Sequence, residues 1–424
     1  MLRVFKFGGA LLKDARGMRN MTSIVEEFKC EALVIVVSAI GKTTNALENL
    51  LRLSRQKQPQ LLQEAYFALK NEHIRLIKSL ELPDESTLIH QIEGDFYNLW
   101  QTLGKTFKDT FFAYDSVVSF GELFSGHIAA YLLGGKRLPV KLMDVRTLIV
   151  TDENFTSANV NWPYTQKTIE ARVKPELQRG NIVLTQGFIA AGHKGNITTL
   201  GREGSDFSAA IIAYVLQADV VCIWKDVPGL MNCNPRVFSD AIKLAHVSYN
   251  EAIELAFYGA SVIHPKTLQP LRKRNIPLKV CAFYAPETPP TLINANEEND
   301  ADIPKIILKE HQTLLSISSR DLSFMAEENL KTVFNVFSKY KLHINLMQNS
   351  AVSFSVCFDE NREKLDAVTG SLREEFILKY NTGLQLLTIR HDNGELLGKL
   401  TRGKQVFLSQ KNRTTLQVLI RGKE

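Results

Sequence analysis

Leu2-Arg3-Val4-Phe5-Lys6-Phe7-Gly8-Gly9 opens the chain with a short β-type run, a lysine at its end and two glycines in the turn beyond. Glycine pairs let backbone N–H groups approach a polyanion closely, and Lys6 puts a fixed positive charge beside that turn. Working outward, strand-like and helix-like segments alternate to about residue 285. Ala32–Val37 is a continuous apolar, β-branched run, as expected of a strand buried on both faces, and 181–185 and 219–224 read the same way. The alternation predicts an α/β fold, a mainly parallel sheet between helix layers. Residues 60–112 depart from it: Leu61, Ala65, Leu69 and Leu76 have helical spacing and strand signals are few, so they read as a helical excursion.

Ala285-Pro286-Glu287-Thr288-Pro289-Pro290 and the acidic run 296–302 read as a linker. Beyond it the pattern restarts on a smaller scale. A strand over 305–319, a helix over 327–340, strands at 343–347 and 352–356 and a helix over 362–376 form a βαββα module. A shorter related set follows at 384–389, 395–400, 406–408 and 415–420. The expected organisation is a catalytic domain over 1–285, a linker over 286–304, an α+β unit over 305–380 and an incomplete second unit over 381–424.

The length of 424 residues is too great for one compact core. Hydrophobic and charged contents of 45% and 23% are those of a globular chain and not of a disordered one. No apolar run reads as long enough to cross a bilayer, Ala32 to Ile40 being strand-sized, so no membrane partner is expected. Met1 to Phe5 lacks the pattern of a signal peptide, which makes the cytoplasm the expected compartment. Five scattered cysteines, never at CxxC spacing, suggest reduced thiols without a zinc site. A net charge of +6, spread along the chain, argues against nucleic acid and suits acidic small substrates.

A second glycine-rich run, Thr199-Leu200-Gly201-Arg202-Glu203-Gly204-Ser205-Asp206, precedes an apolar helix over 208–216, whose N–H groups and dipole end would face an anion. With Lys6-Phe7-Gly8-Gly9 it points to phosphoryl transfer. Gly41-Lys42-Thr43-Thr44 suggests a Walker A loop, yet the glycine required five positions earlier is Val36, and no GxGxxG follows the first strand. Ser119-Phe120-Gly121-Glu122 reads as a capping box at the start of an apolar helix, with the Glu122 carboxylate placed to meet an ammonium. Trp224-Lys225-Asp226-Val227-Pro228-Gly229 makes a turn after a buried strand, where open α/β sheets bind ligands, and Asn234-Pro235-Arg236 extends it. His264, before Pro265, reads as a helix cap. No Ser-His-Asp grouping or metal-ligand cluster can be assembled, which suits a transfer that needs only alignment and charge neutralisation.

In these motifs the chain resembles the aspartate kinases of the amino-acid kinase superfamily, over nearly its whole length. The first motif is similar to Lys6-Phe7-Gly8-Gly9, with Ala10 where threonine or serine is usual, and the second to Val36-Val37-Ser38-Ala39 followed by Thr44-Asn45. The SxGE motif is Ser119 to Glu122, GRGGSD is nearly Gly201 to Asp206, WTDVPG is nearly Trp224 to Gly229, and FGAxVLHP is Tyr258 to Pro265. The resemblance implies a three-layer α/β/α kinase fold followed by α+β ACT-type regulatory modules. It implies Lys6 and Asp206 as catalytic residues and Ser38, Thr44, Glu122 and Arg202 as aspartate-binding ones. Lys6, Gly8, Gly9, Ala10, Lys225, Asp226, Met231, Arg236 and Ser261 would hold ATP, which arrives with Mg²⁺.

The implied reaction gives 4-phospho-L-aspartate, the first step to lysine, threonine and methionine. Met325, Asn345, Gln348 and Asn349 would face an amino-acid effector, and the ACT region would join copies into a homodimer or higher oligomer. Asn345 stands where lysine-sensitive relatives often carry an aspartate, so lysine inhibition is expected to be weak or absent. Glu203 replaces a motif glycine, Lys225 a threonine, Asn234 an aspartate and Ser261 a lysine. A related kinase with another carboxylate acceptor, such as glutamate, and a catalytically silent amino-acid sensor remain the alternative readings.

Overall fold

A computed structural model describes residues 1–260, 263–321, 324–392 and 394–422. The chain divides into two compact units: Met1–Leu230, Lys243–Ile253 and Val262–Glu297 form the first, and Met231–Ile242, Glu254–Ser261 and Glu298–Glu424 the second. The expected boundary at 285 is therefore too simple, because two short segments before it group with the C-terminal part of the chain.

In chain order the elements to the first unit's central turn are β1 (Leu2–Phe7), α1 (Ala15–Glu27), β2 (Ala32–Val37), α2 (Thr43–Arg55), α3 (Pro59–Ser79), α4 (Glu85–Leu103), α5 (Thr110–Gly135), β3 (Val140–Met143) and β4 (Val150–Thr151). Then come α6 (Trp162–Gln178), β5 (Ile182–Gln186), β6 (Ile189–Gly192), β7 (Ile197–Thr199), α7 (Gly204–Leu216) and β8 (Val220–Lys225). β9 (His246–Ser248), α8 (Tyr249–Tyr258), α9 (Pro265–Lys273), β10 (Leu278–Ala282) and β11 (Thr291–Asn294) follow.

The main sheet has the order β3-β5-β2-β1-β8-β10-β11-β9 and is parallel except where β10 meets β11. Crossover helices connect its parallel strands, which makes this the α/β class expected from the alternation. β1 lies at the centre, between β2 and β8, so both of its edges are paired. Phe5 and Phe7 point to one face, where Phe7 stacks on Trp224 at 5.9 Å; the side-chain period of a strand turns Lys6 to the other. β4, β6 and β7 form a separate small sheet, with residues 193–196 joining β6 to β7 as a hairpin.

Thr110–Gly135 is long and apolar enough to span a bilayer by length and composition, contrary to the expectation that no such run exists. Its most apolar window is nonetheless 78% buried inside the protein. It is a core helix, buried along most of its length, and that explains why it is hydrophobic on all sides. The same helix overturns the capping box. Its N-cap is Asp109, which accepts from the N–H groups of Phe111 and Phe112, while Ser119 lies mid-helix and donates to the Ser116 carbonyl.

The second unit continues through β12 (Lys305–Ser319), α10 (Glu327–Lys339), β13 (Ile344–Asn349), β14 (Ser353–Asp359), α11 (Arg362–Leu372), β15 (Phe376–Arg390), α12 (Leu396–Thr401), β16 (Gln405–Lys411) and β17 (Thr415–Arg421). One antiparallel sheet in the order β13-β14-β12-β15-β17-β16 carries both expected modules. The break expected at 380/381 falls inside β15, and the expected linker 286–304 contains β11, which extends the main sheet. The long strands β12 and β15 run through both halves of the sheet, so neither half has a free edge at the junction. The larger half packs α10 and α11 over Leu315, Ile317, Phe354, Val356 and Phe376; the smaller packs α12 over Ile389, Val418 and Ile420.

Candidate active site

A cleft of about 770 Å³ in the first unit opens at the carboxyl ends of β1, β2 and β8. Lys6, Ser38, Ala39, Thr44, Glu122, Arg202, Glu203, Asp206 and Lys225 all contribute to its wall. Parallel pairing brings this about: Lys6 is level with Val36 of β2 and Ile223 of β8, so residues just past those strands converge beside it.

The Lys6 ammonium lies 2.6 Å from Asp206 Oδ1, and Lys225 Nζ lies 3.5 Å from Asp206 Oδ2. One carboxylate thus holds two ammonium groups. Burial pushes the Asp206 carboxyl up, but Lys6 and Lys225 outweigh it and hold the group below its ordinary range. Asp206 belongs to the first turn of α7, whose N-terminal N–H groups add positive potential to the same cleft.

Glu122 comes from the middle of α5 and is 3% exposed. It accepts from the Ala39 N–H, while its Oε2 is buried without a hydrogen-bond partner among the described residues. Burial pushes its carboxyl up to about 8, and the Ala39 N–H and the Lys6 ammonium pull it only part of the way back. A cationic ligand group is the natural complement of such an oxygen. Glu203, at the N-cap of α7, has a backbone φ of +53°, the left-handed region that favours glycine, the residue that the motif carries there. Arg202 beside it is exposed at the rim.

Gly8 lies against the Lys6 ammonium: a Cβ there would sit 3.6 Å from Nζ. Gly9 has a packing reason instead. A Cβ on it would fall 1.8 Å from the Ala39 carbonyl oxygen, and its own carbonyl accepts from the Gly41 N–H. Of the other expected nucleotide residues, Ala10 and Asp226 belong to the first unit but do not line the cleft. Met231 and Arg236 belong to the second unit, and Ser261 lies outside the described residues. His264 is a cap, as read: its Nδ1 accepts from the Lys266 N–H, and burial lowers its pKa.

Sequence reasoning missed Arg55, Thr110, Phe111, Tyr114, Thr156 and Phe188 in the wall, and Asp115 behind it. Asp115 sits on α5 about two turns before Glu122. It accepts from the N–H groups of Thr156 and Thr199 and from the Thr199 hydroxyl, and so anchors the loop that leads to Arg202. Helical periodicity was the only signal that Arg55 in α2 and Thr110, Phe111, Tyr114 and Asp115 in α5 gave, and it does not say which residue faces a ligand; Thr156 and Phe188 lie outside the helices, in loops that carry no such pattern.

In the second unit, Asn349 Nδ2 donates to the Met325 carbonyl, and Gln348 is exposed. Asn345 lies at the start of β13 with its amide fully engaged. It donates to Gln312 and Asp359 and accepts from Lys309.

The model of the Amino acid kinase family matches residues 1–282. The chain is 31% identical to the lysine-sensitive aspartokinase 3 of Escherichia coli (strain K12), over 84% of this chain and 78% of that protein. The chain is an aspartokinase of the amino acid kinase family. It is also 29% identical to the chloroplastic aspartokinase 1 of Arabidopsis thaliana, over 91% of this chain and 70% of that one. Among solved structures it resembles E. coli aspartokinase III in complex with aspartate and ADP, with a TM-score of 0.83 and 27% identity, covering 100% of this chain and 96% of that one. The complex of the same enzyme with lysine and aspartate gives the same TM-score, covering 99% and 96%. The aspartokinase fold, a three-layer α/β/α unit and an α+β region of ACT type, is therefore the fold of this chain.

Proposed function

We propose that the cleft holds L-aspartate and MgATP together and transfers the γ-phosphoryl group to the aspartate side chain, giving 4-phospho-L-aspartate and ADP. The observation that carries this reading is the buried Oε2 of Glu122, unpartnered among the described residues, in the same cleft as the Lys6–Asp206 pair. An α-ammonium entering there converts a costly buried acid into an ion pair. Arg202 at the rim takes the α-carboxylate as a bidentate partner, and Ser38 and Thr44 fix the rest of the substrate.

A side-chain carboxylate oxygen attacks the γ-phosphorus, the bond to the bridging oxygen breaks, and that oxygen leaves with its electron pair on ADP. The attacking group is already ionised, so no general base is required. Lys6, held in place by Asp206, neutralises the transferring group, with Gly8 beside it open to phosphate oxygens. Lys225 and the N-terminus of α7 face the same charge. Mg²⁺ enters with the nucleotide as part of the substrate.

The product supplies lysine, threonine and methionine synthesis in the cytoplasm, and the ACT-type sheet joins copies of the chain. The engaged amide of Asn345 supports weak or absent inhibition by lysine. The test is to trap the acyl phosphate with hydroxylamine, using ATP with aspartate or with glutamate. Hydroxamate from aspartate alone is expected. Product from glutamate would move the acceptor, and none from either would leave an amino-acid sensor.

A further inference from the structure

Two of the residues that depart from the aspartokinase motifs carry opposite charges and line one cleft. Glu203 stands in place of a glycine and Lys225 in place of a threonine, so the site gains an acid and a base with no change in its total charge. Neither is neutral to its surroundings. Glu203 holds its backbone at a φ of +53°, a left-handed conformation that strains a non-glycine residue and persists where something compensates. One of its carboxylate oxygens accepts from the His264 N–H, linking the start of α7 to the turn before α9. Its Oε2 is buried with no hydrogen-bond partner among the described residues, in a side chain that lines a cleft that must admit a polyphosphate.

Burial raises the carboxyl of Glu203 above its ordinary range. Among the surrounding charges Lys225 opposes that rise most, Lys6 opposes it too, and Asp206 adds to it. Lys225 in turn reaches Asp206 Oδ2 at 3.5 Å, while Lys6 has Oδ1 at 2.6 Å. An ammonium added beside Asp206 competes with Lys6 for that carboxylate, and a carboxylate added at the mouth of α7 repels phosphate.

We propose that Glu203 and Lys225 are a coupled pair of positioning residues: Glu203 tempers Lys225 so that Asp206 stays committed to Lys6, and Lys225 cancels the repulsion that Glu203 would exert on the nucleotide. This rests on the kinase reading above. It predicts that neither motif residue can be restored singly without loss, and that restoring both is tolerated better than either loss implies.

The experiment compares the full chain with Glu203→Gly, Lys225→Thr and the double variant. Glycine relieves the left-handed backbone and threonine suits a strand end, so all three are expected to fold, with melting curves as the control. ADP affinity by calorimetry is the primary readout, because it does not depend on which acceptor is used; kcat and KM from hydroxamate formation are the second. Lys225→Thr should weaken ADP and raise the KM for ATP at least about tenfold with a smaller change in kcat, and Glu203→Gly should act mainly on kcat. The double variant should lose at least about ten times less than the product of the single losses.

A further arm uses pH. Around Glu203 the charged and titratable groups are Lys6 on β1, Lys225 on β8, Asp206 on α7, Arg202 beside it, His264 before α9 and Glu122 on α5. In Lys225→Thr, ADP affinity should recover as the pH falls and Glu203 takes up a proton; adding Glu203→Gln should abolish that recovery. Losses that multiply within about threefold, or a recovery that survives the glutamine, would overturn the pairing. A parent that binds ADP with this coupling but phosphorylates neither acceptor would overturn the kinase reading and leave the pair standing.

Discussion

Replacing Glu122 by glutamine should stabilise the ligand-free protein by an amount that grows with pH. The folded carboxyl is raised from 4.5 to about 8, with burial as the main cause. Below 4.5 the group is protonated in both folded and unfolded chains, so parent and variant differ little. Above that value the unfolded chain releases the proton while the folded chain retains it, and the parent loses stability with each pH unit until about 8. At about 1.4 kcal/mol per unit, the penalty reaches about 3 kcal/mol at pH 7 and at most about 5 kcal/mol at pH 8. Glutamine carries no such charge and can still accept from the Ala39 N–H.

Urea melts of both proteins across that range measure the difference directly. The gap between them should open from acid to alkali, and gaps that stay constant would refute the assignment of a buried, uncompensated carboxyl. On the proposed reading the α-ammonium of the substrate supplies the missing charge, so aspartate binding should release a proton near neutrality, visible by calorimetry in two buffers of different ionisation heat. The glutamine variant should bind aspartate poorly and release no proton.

Lys6→Met and Asp206→Asn should each lower kcat by about a thousandfold or more while leaving the fold intact, as read by hydroxamate formation and circular dichroism; a loss confined to KM would remove them from the reacting centre. Lys225→Ala should raise the KM for ATP at least about tenfold, or about 1.4 kcal/mol, and an unchanged value would dismiss a nucleotide role. Asp115→Ala strips the acceptor from two N–H groups and a hydroxyl and should cost about 2 to 4 kcal/mol in thermal or urea melts, with a rise in the KM for aspartate as the Arg202 loop loosens. Millimolar lysine should inhibit the enzyme little, and full inhibition below that would show that the Asn345 network opens to admit an effector.

Much of the fold was legible because it rests on local rules. Unbroken β-branched runs such as Ala32–Val37 mark strands buried on both faces, and their alternation with helical spacing leaves a parallel sheet as the economical arrangement. The glycine-rich turns were legible for the same reason, since they sit at fixed offsets from the strands they end. Ser119 to Glu122 was legible as a motif and misread as a structure: an apolar core helix has no polar face to show where it begins, and Asp109 is the actual cap. The division at 380/381 failed because two short modules share long strands, and spacing alone cannot tell a strand that ends from one that runs on.

From the order of residues alone came the strands, the turns, the chemical class of the side chains and the two charged departures at 203 and 225. Convergence was decided in three dimensions. Lys6 and Asp206 are far apart along the chain, and only the pairing of β1 with β8, with α7 placed across them, brings an ammonium within 2.6 Å of a carboxylate. The state of Glu122 was decided there too, because a carboxyl's charge depends on the water excluded around it, and that exclusion is a property of the packed core and not of any one segment.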